Sequence, residues 1–230
     1  MLDHEESKID TITIELRYDP AFGIWDRAGE IWKRVQAQFP ELRFQNAMPL
    51  QQIFESADAR AMVELEAFRV ICRGPDADKK TSEIAQALLN VCSDQLRIAI
   101  FTRIGLREVK KHSFASIEEA FSAVNSLLPA ALVGKFLTDS TPLGFSFGLR
   151  QENKANGLLT SIRTEERERK LAFPWELRDL MSSDPPKEYL AIFDSDYYTI
   201  GATKRDALDI EEWARQGMRA IKKYWKSALA

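Results

Sequence analysis

The segment T-I-T-I-E-L-R-Y, Thr11 to Tyr18, alternates apolar and polar residues without a break. Successive side chains of a strand point to opposite faces, so Ile12, Ile14, Leu16 and Tyr18 share one face and Thr13, Glu15 and Arg17 the other. Such a strand requires a sheet with one buried face and one polar face. The same demand returns in the stretch from Ile98 to Lys111. There Ile98, Ile100, Ile104 and Leu106 oppose Arg103, Gly105 and Arg107. Any fold for this chain must therefore place a row of charges on a sheet face.

The segments between these strands set an order of elements. Ile24, Trp25, Ala28, Ile31, Trp32, Val35 and Phe39 form a stripe at helical spacing that Pro40 ends. Leu42 to Glu55 reads as a weaker extended segment interrupted by Pro49. Met62 to Cys72 reads as one strand, followed by the turn Gly74-Pro75-Asp76 and a helix from Thr81 to Gln95. Residues 1–112 thus spell β-α-β-β-α-β, the order of a ferredoxin-like unit, with the first strand between the third and fourth. Ser116 and Glu119 form a capping box that opens a connecting helix, and residues 113–140 link the two halves. Residues 141–230 read as a smaller antiparallel sheet with an Asn156-Gly157 hairpin, closed by a long C-terminal helix that Asp209 caps. The expected fold class is α+β.

Composition narrows the class of function. The chain has 230 residues and a net charge of −3, which gives no bulk attraction to nucleic acid or anionic membrane. No apolar run approaches the ~20 residues that span a bilayer, and the acidic start is unlike a signal peptide. Two cysteines without C-x-x-C spacing point to reduced thiols and a cytoplasmic setting. No nucleophile elbow or phosphate loop is present in the sequence. The chain reads as a protein that is not an enzyme and needs no cofactor.

Five positions, with the glycine between two of them, carry the functional candidates. Arg103 and Arg107 lie roughly 13 Å apart on one strand with Gly105 between them. They read either as an anion clamp or as rungs of a ladder with Glu15, Glu64 and Glu66, and cross-strand pairing favours the ladder. Asp194 and Asp196 form a D-x-D pair that could hold a divalent cation or could pair with Arg163, Arg167 and Arg169. Trp175, beside Pro174, is the candidate for a partner contact. A nucleic-acid-binding sheet would present aromatics where this one has Glu15, Glu64 and Glu66, which argues against that ligand.

The strand I-T-I-E-L-R-Y, the Trp-containing helix ending in Phe-Pro, the motif R-I-G-L-R at Arg103–Arg107, the late strand I-F-D-S-D and the closing amphipathic helix resemble, in that order, a sporadically distributed and uncharacterised bacterial and archaeal family. In that family the arginine motif continues into an aromatic residue and an asparagine, where this chain has Glu108 and Val109. The resemblance implies an accessory or defence-linked gene and no catalytic residues. The resulting expectation is a binding or regulatory protein that recognises another protein, compatible with a homodimer. The competing expectation is a small-ligand, anion or metal enzyme using Arg103 and Arg107 or Asp194 and Asp196.

Overall fold

A computed structural model describes residues 2–48, 50–127, 146–168 and 187–229. Nine strands form one antiparallel sheet: β1 Lys8–Arg17, β2 Arg43–Met48, β3 Gln51–Glu55, β4 Ala59–Glu64, β5 Ala67–Cys72, β7 Arg103–Phe114, β8 Ser146–Glu152, β9 Asn156–Glu168 and β10 Lys187–Thr199. Their order across the sheet is β2-β3-β4-β5-β1-β7-β10-β9-β8. Two short strands, β6 Ile100–Phe101 and β11 Thr203–Lys204, pair separately. The helices are α1 Ala28–Gln38, α2 Ala77–Leu96, α3 Ile117–Asn125 and α4 Ile210–Ala228.

This overturns the ferredoxin-like reading in two ways. First, Ala59–Cys72 is a hairpin, β4 and β5, and not one strand. The turn falls at Leu65-Glu66 within an unbroken alternation, Val63-Glu64-Leu65-Glu66-Ala67, so no Gly, Pro or Asn marks it. Passing the turn shifts the phase by one residue. Val63 pairs with Phe68, so Phe68, Val70 and Cys72 are buried, while Ile71 joins Arg69 on the charged face. The weak segment before it is also a hairpin, β2 and β3. A four-strand meander therefore separates α1 from α2. Second, the later strands form no separate smaller sheet, because β10 pairs along β7 from Phe114 to Gly105. The expected boundary region, residues 113–140, lies partly outside the described residues.

The local signals that did not depend on strand partners match the helices. Ser116 Oγ accepts from Glu119 N at 3.2 Å, and Asp209 Oδ1 accepts from Glu212 N at 2.9 Å, so both caps form as the sequence indicates. Helix α2 begins at Ala77, earlier than its apolar stripe suggests, and ends at Arg97, which adopts φ 56° as its left-handed cap.

Ile12, Ile14 and Leu16 of β1, Phe68 and Val70 of β5, and Ile104 and Leu106 of β7 are all buried in one core with Ile84, Leu88 and Cys92 of α2 and Ile221 and Trp225 of α4. Each large apolar side chain so buried contributes about 1.5–3 kcal/mol. Helix α4 approaches the sheet at Gly217. A Cβ there would lie 2.7 Å from Leu106 Cδ2 and 2.7 Å from Tyr197 Cδ1. The absent side chain sets the spacing between α4 and strands β7 and β10.

Helix propensity alone would make Gly217→Ala stabilising by about 1 kcal/mol. The contact with Leu106 and Tyr197 reverses the sign. Gly217→Ala is expected to lower stability by about 1–3 kcal/mol, measured by urea denaturation. An unchanged or raised midpoint would show that α4 is free to move off the sheet.

Candidate functional site

The sheet face opposite the helices carries acids and bases that answer one another across the strands. Glu64 is on β4, Arg69 on β5, Glu15 on β1, Arg103 and Arg107 on β7, Asp194 and Asp196 on β10, and Arg163 and Arg167 on β9. Antiparallel registers set Glu15 opposite both Arg69 and Gly105, and Asp196 opposite Arg107. Side chains then reach diagonally. Arg107 grips Asp194 with two bonds, Nε to Oδ1 at 2.8 Å and Nη2 to Oδ2 at 2.5 Å. Arg103 Nη2 donates to Asp196 Oδ2 at 2.7 Å, and its Nη1 lies 3.7 Å from Glu15 Oε1. Arg69 and Arg17 both hydrogen-bond Glu15. Arg163 Nη1 reaches Asp194 at 3.4 Å, and Arg167 pairs with Glu165 at 2.6 Å.

A bulge between Ile9 and Thr11 leaves Asp10 outside the register. Its carboxylate closes the ladder, 3.2 Å from Lys111 and 3.5 Å from Arg167. The cations are Arg17, Arg69, Arg103, Arg107, Lys111, Arg163 and Arg167. The carboxylates are Asp10, Glu15, Glu64, Glu165, Asp194 and Asp196. Within this ladder the described residues supply seven cations and six carboxylates, so its charges nearly cancel.

Arg103 and Arg107 are therefore rungs. The sequence-based partners were only partly the right ones. Glu15 takes Arg103, but Glu64 lies 3.9 Å from Arg69, and Glu66 sits in the β4–β5 turn. The main partners come from β10, whose place beside β7 no local pattern could reveal. Both Asp194 oxygens and Asp196 Oδ2 are taken by guanidiniums. Among the described residues no group of three or more His, Cys, Asp or Glu is placed to hold a metal ion.

The electrostatics follow from partial burial. Desolvation opposes ionisation of Glu15, but the hydrogen bonds from Arg17 and Arg69 prevail and hold its carboxyl below the usual range. Desolvation pushes the Asp196 carboxyl above the usual range, against the pull of Arg103 and Arg107. The Asp194 hydrogen bond raises Arg107.

Gly105 also finds its reason here. The nearest atoms to a Cβ at this position would be Arg103 Nη1 at 3.2 Å and Asp196 Oδ1 at 3.5 Å. The bare backbone leaves room for the Arg103 guanidinium to fold across the strand to Asp196. Tyr198, opposite Gly105, lies under the same guanidinium at 5.1 Å.

On the helix-covered face, one polar column is buried. His4 Nε2 contacts Glu108 Oε2 at 3.0 Å, and Lys110 Nζ donates to the His4 carbonyl at 3.0 Å. Trp225 Nε1 donates to Ser195 Oγ at 2.8 Å and its ring stacks on His4. His4 Nδ1 and Glu108 Oε1 have no hydrogen-bond partner. Lys110 is buried because β7 runs on to Phe114.

A further surface was not singled out by the sequence. Phe22 is 77% exposed, Trp25 57%, Trp32 41% and Phe44 39%. Trp32 and Phe44 lie 6.2 Å apart between ring centres, which ties α1 to the end strand β2. Trp25 and Trp32 fell on the apolar stripe in sequence. The buried residues of α1 are only Ile31 and Val35, preceded by Ile24, so the indoles flank the core side of the helix and do not enter it. Trp175 lies outside the described residues.

No family model and no curated protein matches this chain. The reading of function rests on its own geometry.

Three outcomes test this geometry. Gly105→Ala is expected to change stability by less than about 0.5 kcal/mol, because the Arg103 side chain can yield, whereas Gly105→Leu should evict Arg103 and cost about 1–3 kcal/mol in denaturant melts. Glu15 contributes stability at neutral pH that is lost as pH falls below 4.5 through its lowered folded value. Glu15→Gln should therefore flatten that part of the melting-temperature-against-pH curve, and an unchanged slope would remove Glu15 from the account. Glu108→Leu alone leaves buried His4 without its carboxylate, and His4→Phe alone leaves a buried carboxylate unpaired, each costing about 3–5 kcal/mol. The double variant should cost less than the two singles added, as a thermodynamic cycle would measure.

Proposed function

We propose that this chain is a non-enzymatic binding or regulatory protein that acts by recognising protein surfaces. The exposed aromatic side chains Phe22, Trp25, Trp32 and Phe44 carry this reading. Aromatic side chains are enriched at the centres of protein interfaces. The charged sheet face supports the same view, since its groups are engaged with each other and none of the arginines of the R-I-G-L-R motif is left to bind an anion. A cytoplasmic setting belongs to the proposal and is supported by two buried free cysteines. Among the described residues no helix is long and apolar enough to cross a membrane. Assignment to an accessory or defence-linked locus rests on the family resemblance alone.

Capture experiments with immobilised chain from lysate of its own host test the reading. The wild type should retain a partner that Trp25→Glu loses, while Arg107→Gln, on the charged face, retains it. Equal capture by wild type and Trp25→Glu would move recognition away from these aromatic side chains.

A further inference from the structure

We infer that the exposed ridge of α4 is a docking site for an acidic segment of a partner protein. The inference rests on the recognition reading above and supplies the chemistry of one partner surface. Ile210, Ala214, Gly217, Ile221 and Trp225 are buried, which fixes the rotation of α4 against the sheet. The opposite side of the helix then carries Arg215, Arg219, Lys222, Lys223 and Lys226, all exposed. No acid follows Glu212 in the helix. Arg215 is held by Glu212, whereas Arg219, Lys222, Lys223 and Lys226 have no ion-pair partner among the described residues.

A solvated helix face ordinarily interleaves acids and bases, because like charges three or four residues apart repel. Here Arg215 and Arg219, Arg219 and Lys223, and Lys222 and Lys226 each stand four apart. Arg219 and Lys222, and Lys223 and Lys226, stand three apart. The negative end of the helix favours Lys226 in the last turn, and its reach ends there. The charged sheet face meets the same repulsion with carboxylates from neighbouring strands. On the α4 ridge an incoming anion would relieve it, so charge complementarity sets the sign of the occupant.

The surroundings select a short protein segment over other polyanions. From Arg219 to Lys226 the ridge runs roughly 10 Å. It is bounded by Glu211 and Glu212 at one end and by Glu5 and Glu6, beside Lys226, at the other. A nucleic-acid duplex, with a charge every ~1.7 Å, would run past these limits onto the acids of a chain whose net charge is −3. A helix that enters an anionic bilayer needs an apolar face to insert, and here that face is spent on the core. A short run of carboxylates fits between the bounds. Beside the ridge, a cleft of about 460 Å³ between α4 and the β8–β9 hairpin is lined by Gln151, Asn153, Asn156, Tyr224 and Lys223. Its amides and hydroxyl can pair with a peptide backbone while Lys223 takes a carboxylate. Glu152, in the same cleft, is already held by Arg150 and Tyr198.

Fluorescence anisotropy at low salt, with circular dichroism as the folding control, tests the assignment. The probes are a labelled peptide rich in Glu and Asp, the same peptide with Gln and Asn in their place, a labelled DNA duplex, and phosphatidylserine vesicles followed by co-sedimentation. The wild type should bind the acidic peptide saturably and more tightly than the other three. The Lys222→Glu, Lys223→Glu double variant should stay folded and bind that peptide about tenfold or more weakly. The Lys33→Glu, Lys79→Glu double variant makes the same change of charge on α1 and α2 and should bind within about twofold of wild type. Failure of the acidic peptide to bind, equal binding of its amide counterpart, or equal loss in the two double variants overturns the ridge. Tighter binding of the duplex or the vesicles, lost in the Lys222 and Lys223 variant, overturns the protein partner and gives the ridge to phosphates. If the peptide fails while capture that depends on Trp25 persists, the ridge falls and the recognition reading stands. If both are absent, both fall.

Discussion

Helices close one face of the sheet, and the opposite face must therefore keep its charges in company with water or with each other. The chain uses the second option across six adjacent strands. From β4 to β9 several of the pairs cross between neighbouring strands, while Arg17 and Arg167 take Glu15 and Glu165 on their own strands and Asp10 of β1 reaches Arg167. Isolated surface pairs are worth little, but here several share partners, and the bare backbone at Gly105 leaves room for one of them. The ladder also ties β10 to β7 and β1, which joins the N-terminal and C-terminal strands into one sheet.

The helix-covered face has a complementary logic. Its core is mainly apolar and holds the column of His4, Glu108, Lys110 and Ser195 where the N-terminal segment, two strands and α4 meet. Buried charge is costly unless partnered, so this column fixes which residues must face one another where apolar packing would tolerate alternatives. Gly217 adds a steric constraint at the same interface. The sheet is thus two-faced, and exposed aromatic side chains lie on α1, on the turn before it and on β2.

Much of this was legible locally. The alternation at Thr11–Tyr18 correctly separates the buried residues of β1 from Glu15 and Arg17, and the capping residues Ser116 and Asp209 mark helix starts. What failed was pairing across distance. The β4–β5 turn hides inside a continuous alternation, and the ferredoxin-like order follows directly from missing it. Asp194 and Asp196 were recognisable as candidates for pairing with arginine, yet the arginines Arg103 and Arg107 that dominate lie about ninety residues away in sequence on a strand not known to be adjacent.

By itself the sequence determined the faces of individual strands and helices, because side-chain direction has period two or 3.6 and needs no partner. It also determined that the charges on those strands would require compensation. Only the tertiary structure decided which carboxylate answers which arginine, since strand order sets those distances. It also decided that Trp25 and Trp32 flank the core side of α1 at the surface. A helical stripe gives the width of an apolar face, whereas the rotation of the helix against its neighbours decides which part of that face is covered.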